Sequence, residues 1–188
     1  MTAAPGPMAT SHGTGLAGCL ELRFRPHHDV RGLFLKTYHE TTFRALGLCT
    51  DWREEFVSTS AKGVLRGLHF QVPPEQHTKL VVCLAGRVLD VVLDLRAGSP
   101  TYGTCASVEL SPGRANAMYV PAGFAHGFQA LEDGSILHYK VSSMHAPAQD
   151  QGLRWDSIGF AWPITAPILS PRDATFGALA DFQTPFRS

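Results

Sequence analysis

The feature that most constrains this chain is a series of short apolar runs, each broken before it reaches helical length. They are Leu20–Phe24, Leu33–Tyr38, Phe56–Ser60, Gly63–Phe70, Leu80–Leu84, Val88–Leu95, Ala106–Leu110, Ala117–Val120, Gly127–Leu131 and Ile136–Val141. Several alternate. In Val88–Leu95, Leu89, Val91, Leu93 and Leu95 share one face, while Val88, Asp90, Val92 and Asp94 share the other. A period of two is the strand signal. Turn residues punctuate the runs at Gly86-Arg87, Gly98-Ser99-Pro100, Ser111-Pro112-Gly113, Pro121-Ala122-Gly123 and Asp133-Gly134. Many short strands at such spacing predict an all-β sandwich or barrel. A single helix is expected at Thr41–Leu48, ending near Gly47.

At 188 residues with 44% hydrophobic content, the chain is expected to form one domain around a sizeable core. Residues 1–15 read as a flexible tail, residues 16–188 as the domain, and the Pro-rich stretch after Trp162 as loops and short helices wrapped over the barrel. The formal net charge of +0 offers no general field for nucleic acid or an anionic membrane, and no apolar run is long enough to span a bilayer. Cys19, Cys49, Cys83 and Cys105 are widely spaced and form no CxxC pair. They are expected to be reduced, and the chain is expected to be cytoplasmic.

Two of the nine histidines stand out. His69 ends the apolar run GVLRGLHF, and His126 follows a turn in PAGFAHGF. Two strand histidines can converge in a barrel mouth, a common place for a small-molecule site. Pro121-x-Gly123-x-x-His126 resembles the second cupin motif, a turn that delivers a histidine into the barrel. The first cupin motif offers two histidines one residue apart, and here Gly67-Leu68-His69-Phe70-Gln71 carries one. A metal enzyme would need His69 and His126 plus ligands such as Glu75 or His77, so metal is the weaker reading. Without metal, proton chemistry needs a histidine base oriented by a carboxylate, a cation for a developing enolate, and an acid such as tyrosine.

An ordered set of motifs carries a closer resemblance. Gly63-Val-Leu-Arg-Gly-Leu-His69-Phe-Gln71 with Lys79-Leu80-Val81, Asp90-Val-Val-Leu-Asp-Leu-Arg96 with Ser99-Pro-Thr-Tyr-Gly103, Pro121-Ala-Gly-Phe-Ala-His-Gly127, Tyr139-Lys140, Gly152-Leu-Arg-Trp155 and Ile168-Leu-Ser-Pro-Arg-Asp173 occur in that order. From about Leu20 onward the chain resembles the dTDP-4-dehydrorhamnose 3,5-epimerase family. The resemblance implies a cupin-type jelly-roll β-barrel with a few short peripheral helices. It also implies a homodimer and a cofactor-independent, metal-free epimerase acting at C3, C5 or both of a nucleotide-linked 4-keto-6-deoxy sugar. His69 would be the base, Asp173 its orienting partner, Tyr139 the acid on the far face and Lys79 the enolate stabiliser. His126 would line the pocket. Gln71 would contact substrate, and Arg31 and Arg66 would contact substrate or its diphosphate, which an arginine fork can grip by two oxygens.

Taken alone, each residue has a plainer role. Asp173 could cap a short helix, Tyr139 could be a core aromatic, Lys79 could sit beside a turn, and Asp90 could hold Lys79 or form a rim ion pair. A non-catalytic nucleotide-sugar binding module is a further alternative. Three departures bear on substrate: Lys36 replaces a glutamate usual in the family near the base, Arg53-Glu-Glu55 stands where Gln-x-Asn is common, and Met144 replaces a tyrosine. These substitutions at Lys36, Glu55 and Met144 leave dTDP-, CDP- and GDP-linked sugars open, and they point to altered selectivity between C3 and C5.

Overall fold

The computed structural model describes residues 7–187. It begins with β1 (Ala9–Gly13), β2 (Leu20–Phe24), the short hairpin β3 (His27–Asp29) and β4 (Gly32–Phe34), and helix α1 (Glu40–Ala45). The barrel strands follow as β5 (Glu54–Ser60), β6 (Leu65–Gln71), β7 (Lys79–Ala85), β8 (Val88–Asp94) and β9 (Cys105–Leu110). They continue as β10 (Asn116–Val120), β11 (Phe124–Ala130), β12 (Ser135–Val141) and β13 (Asp150–Gly152), with α2 (Pro171–Ala174) near the end. One antiparallel sheet has the order β1-β2-β10-β7-β12-β5, the other β13-β6-β11-β8-β9. This is the expected cupin-type jelly roll.

Both faces of the central strands are covered, which is why their apolar runs are nearly continuous. Between the sheets lies a core of Val81, Val88, Val92, Met118, Phe128 and Leu137. Outside the five-stranded sheet, Leu68, Val91 and Leu93 are covered by Trp162, Phe182 and Phe186 of the C-terminal segment. That segment wraps over the barrel as the sequence suggested. Outside the six-stranded sheet, Leu22, Leu80 and Val82 are covered by Phe43 of α1 with Tyr38 and Trp52. Burying each such side chain contributes about 1.5–3 kcal/mol, so these outer layers stabilise the barrel as its interior does.

Three local expectations are corrected. Ala9–Gly13, placed in the flexible tail, is a strand paired from Ala9↔Phe24 to Gly13↔Leu20. Its sequence, ATSHG, has no alternation to read, because all but Ala9 face solvent. Residues 1–6 of that tail lie outside the described residues. Helix α1 stops at Ala45, because Gly47 takes φ +69° and Leu48 N–H bonds back to Phe43 O. Of the expected strand Leu33–Tyr38 only Leu33 and Phe34 lie in a ladder, within β4; Leu35 and Tyr38 pack against the outer layer of the six-stranded sheet.

Candidate active site

Strands β6 and β11 lie side by side in the five-stranded sheet, and their register sets His69 opposite His126. This close approach depends on glycine. Gly67 has φ +123°, and a Cβ there would lie 2.6 Å from Gly127 Cα and 2.9 Å from His126 O. Gly67→Ala is expected to lower stability by about 3 kcal/mol or more, through left-handed strain plus overpacking. A denaturation midpoint unchanged by the substitution would refute that reading of the backbone contact.

Gly67 also donates its N–H to Asp173 Oδ2 at 3.0 Å, while Asp173 Oδ1 lies 2.8 Å from His69 Nε2. Asp173 sits in α2, whose cap is Ser170: its Oγ accepts from Asp173 N at 3.0 Å. The capping role open to Asp173 in the sequence thus belongs to Ser170, which leaves the carboxylate for His69. Burial works to raise the Asp173 pKa, but the bond to His69, its charge and the Gly67 N–H outweigh it and hold the group below the ordinary carboxylate value. An ionised Asp173 requires the proton on His69 Nε2, which leaves Nδ1 as the basic nitrogen. Phe176 packs edge-on against the imidazole, centroids 5.5 Å apart. Gly152 makes room, since a Cβ there would meet the Phe176 ring at 2.3 Å.

His69 lines a cavity of about 360 Å³ with Arg66, Gln71, Lys79, His126 and Tyr139. A second histidine–carboxylate pair stands beside the first: Asp90 takes His126 Nε2 at 2.9 and 3.0 Å, fully buried. Burial raises the Asp90 pKa against the pull of His126 and Lys79. Asp90 therefore does not anchor Lys79 directly, as the sequence allowed; Lys79 Nζ donates to His69 O at 3.1 Å. Burial draws Lys79 down to about 8, with the charges of Asp150 and Asp90 opposing. Tyr139 comes from β12 in the opposite sheet and is 7% exposed; burial pushes its phenol pKa up. A base on one wall and a phenol on the other can address the two faces of a molecule held between them.

The remaining expected residues divide. Arg66 lines the cavity while Nε donates to Ser60 Oγ and Nη2 to Thr59 O. Gln71 also lines it, but its amide is committed to Glu75 O, Met144 O and Ala146 N. Arg31, Lys36, Glu55 and Met144 do not line this cavity. Arg31 is on the hairpin, paired with Asp29. Lys36 is exposed between β4 and α1. The Met144 side chain points to solvent, 60% exposed. Glu55 binds Lys140 and His138 on the outer face of the sheet. The cavity face of β5 is Glu54, Phe56 and Ser58, one residue out of step with the expectation, and a slip of one residue turns every side chain to the other face.

Sequence reading did not find Phe56, Ser58, His77, His145 or Arg172 in the cavity wall. Arg172 directly precedes Asp173 in the motif and could have been found there; it pairs with Asp150 at 2.9 Å. His77, proposed as a ligand in the metal reading, is drawn down to about 3 by burial and then by the charge of Lys79, so it is neutral. Among the described residues no group of three or more His, Cys, Asp or Glu side chains is arranged to hold a metal ion. Nor, among those residues, is any helix long and apolar enough to cross a membrane.

Similarity to known proteins agrees with this geometry. The dTDP-4-dehydrorhamnose 3,5-epimerase profile matches residues 13–181. The dTDP-4-dehydrorhamnose 3,5-epimerase of Sinorhizobium fredii is 39% identical over 170 residues, covering 88% of this chain and 87% of that protein. The dTDP-4-dehydrorhamnose 3-epimerase of Streptomyces niveus is 39% identical over 171 residues, covering 89% and 82%. A crystal structure of dTDP-6-deoxy-D-glucose-3,5-epimerase from Legionella pneumophila, in complex with dTDP-4-keto-L-rhamnose, superposes with a TM-score of 0.91 at 31% identity. It covers 96% of this chain and 99% of that one. With its barrel, its His69–Asp173 pair and these relatives, the chain belongs to the dTDP-4-dehydrorhamnose 3,5-epimerase family.

Proposed function

We propose that this protein inverts C5, C3 or each in turn of a dTDP-linked 4-keto-6-deoxyhexose by cofactor-independent proton transfer. The observation that carries this reading is the ionised Asp173 behind His69, with Lys79 and Tyr139 facing the same cavity from other strands. The ketone at C4 makes the neighbouring C–H bonds acidic. His69 takes the proton, Lys79 stabilises the enolate oxygen and Tyr139 returns a proton to the opposite face. Arg66 and Arg172, at the cavity wall, suit the substrate's diphosphate. The thymine nucleotide is favoured over CDP and GDP, because the charge reversal at Lys36 lies outside this cavity and the relatives act on dTDP sugars by name. The metal-dependent reading lacks a ligand set: among the described residues no three or more His, Cys, Asp or Glu side chains are grouped to hold an ion.

Incubation of a dTDP-4-keto-6-deoxyhexose with enzyme in D₂O tests this by NMR. Deuterium is expected at C5, C3 or both, together with the inverted sugar. A bound substrate that takes up no deuterium would leave only a nucleotide-sugar binding module. Deuterium and inversion at C3 alone would match the 3-epimerase name carried by the Streptomyces niveus relative.

The Lys79 ammonium sets an alkaline limit. It loses its proton as pH rises through about 8, so enolate stabilisation is present below that pH and lost above it. kcat/KM is expected to fall about tenfold per pH unit beyond the limit. Lys79→Arg, which stays charged, should remove the limit even though it lowers the rate. A wild-type profile flat to pH 10 would show that Lys79 does not act as a cation.

We also place the enzyme as a homodimer in the cytoplasm. Hairpin β3–β4 holds Val30, Leu33 and Phe34 in solvent, 105%, 45% and 62% exposed, an apolar surface that a second copy would cover. Arg31 rides on that hairpin, so its contact with substrate would be made in the other copy's cavity. The four cysteines are unpaired, as suits a reducing compartment.

A further inference from the structure

Tyr139 is held by its ring. Its Cα pairs with that of Phe56 across the β12–β5 ladder. On one side the Phe56 ring stacks on the phenol, centroids 4.7 Å apart and planes 17° from parallel. On the other, His126 meets it edge-on at 6.2 Å, and Asp90 fixes His126. Ser58 on β5 lies beside the phenol and pulls its pKa down against burial, yet its buried Oγ makes no hydrogen bond of sound geometry. The two ring contacts hold the plane of the phenol, and with it the direction of its C–O bond.

Phe56 itself is unusual for so large an apolar side chain. It is 44% exposed and lines the cavity, so one face rests on Tyr139 while another part meets solvent. It belongs to the edge strand of its sheet. Without the phenyl ring, water would reach the phenol from the β5 side, and the phenol ring would lose one of its two walls.

We propose that Phe56 is the positioning residue for Tyr139: by stacking on the phenol and closing it from water, it keeps the hydroxyl on the face of the sugar opposite His69. This rests on the acid role given to Tyr139 above. The consequence concerns the fate of the enolate. It is protonated either by Tyr139, which inverts the centre, or by His69 on the original face, which leaves configuration unchanged but exchanges the hydrogen with solvent. Phe56 sets the ratio between these outcomes. A residue serving only the fold or substrate affinity would change both rates together.

The test measures deuterium exchange and inversion side by side in D₂O, at saturating dTDP-4-keto-6-deoxyhexose, for wild type and Phe56→Ala, Phe56→Leu and Phe56→Tyr. Phe56→Ala is expected to exchange near the wild-type rate while inversion falls about tenfold to a hundredfold, the scale of a group misplaced by about an ångström. Phe56→Tyr, which can still stack, should restore the ratio, and Phe56→Leu, which shields without stacking, should fall between. An unchanged inversion-to-exchange ratio in Phe56→Ala overturns the proposal, as does an equal fall in both rates. Should Phe56→Ala fail to fold, the ratio in Phe56→Leu decides in the same way. Tyr139→Phe run in parallel separates the two readings: full inversion there removes Tyr139 as the acid whatever Phe56 does.

Discussion

His69→Asn is expected to abolish both hydrogen exchange and inversion while leaving the barrel folded. The base must be a group whose neutral form persists near neutral pH and whose orientation is fixed before substrate arrives. Asp173 fixes the orientation of His69: it holds Nε2 at 2.8 Å and is itself held by Gly67 N–H at 3.0 Å. An asparagine amide has no basic nitrogen, so nothing at position 69 can accept the proton. The loss should reach at least about 10²–10⁴-fold, the range for a positioned acid–base group. The fold should survive, because the His69 side chain is 30% exposed and Asp173 keeps its bond from Gly67. Circular dichroism and a thermal midpoint near wild type would establish this. Residual exchange at the wild-type rate in a folded His69→Asn would remove His69 from the mechanism.

How much of this was legible depended on whether a residue advertised its surroundings. The run Val88–Leu95 alternates, and its strand is found within a residue of the expected bounds. The alternation did not show that both faces are buried, because the covering layer comes from Trp162, Phe182 and Phe186, far along the chain. Strand β1 has no alternation to detect and is set by pairing with β2. At the site, His69, Asp173, Lys79 and Tyr139 were legible through their motifs, and the cavity brings three of them together with Asp173 behind. Glu55 was misplaced because motif spacing carries no information about which face of β5 turns inward. Asp90 was visible as a polar residue in an apolar run, but its partner depended on the β11–β8 register, which pairs Val92 with His126 and Asp90 with Phe128. Phe56 had no chemical signature at all; its place against Tyr139 follows only from the β5–β12 pairing.

Tyr139→Phe is expected to separate the two halves of the reaction. The substitution keeps the ring, so the stack on Phe56 and the edge contact with His126 persist and the fold should be undisturbed. It removes only the hydroxyl. Burial favours the protonated phenol, the form that the proposed acid needs. Without it, His69 still removes the proton and Lys79 still stabilises the enolate, and solvent deuterium enters through His69 on the original face. Exchange should persist, while inversion falls by about 10²-fold or more, the contribution of a single positioned acid. The two rates are read from the same NMR spectra, as deuterium in recovered substrate and as epimer formed. If Tyr139→Phe inverts at the wild-type rate, another donor works on the far face. If exchange vanishes with inversion, the phenol is needed to form the enolate as well as to protonate it. The expected split, exchange without inversion, is the outcome that would place His69 and Tyr139 on opposite faces of one enolate, in keeping with their positions on opposite sheets.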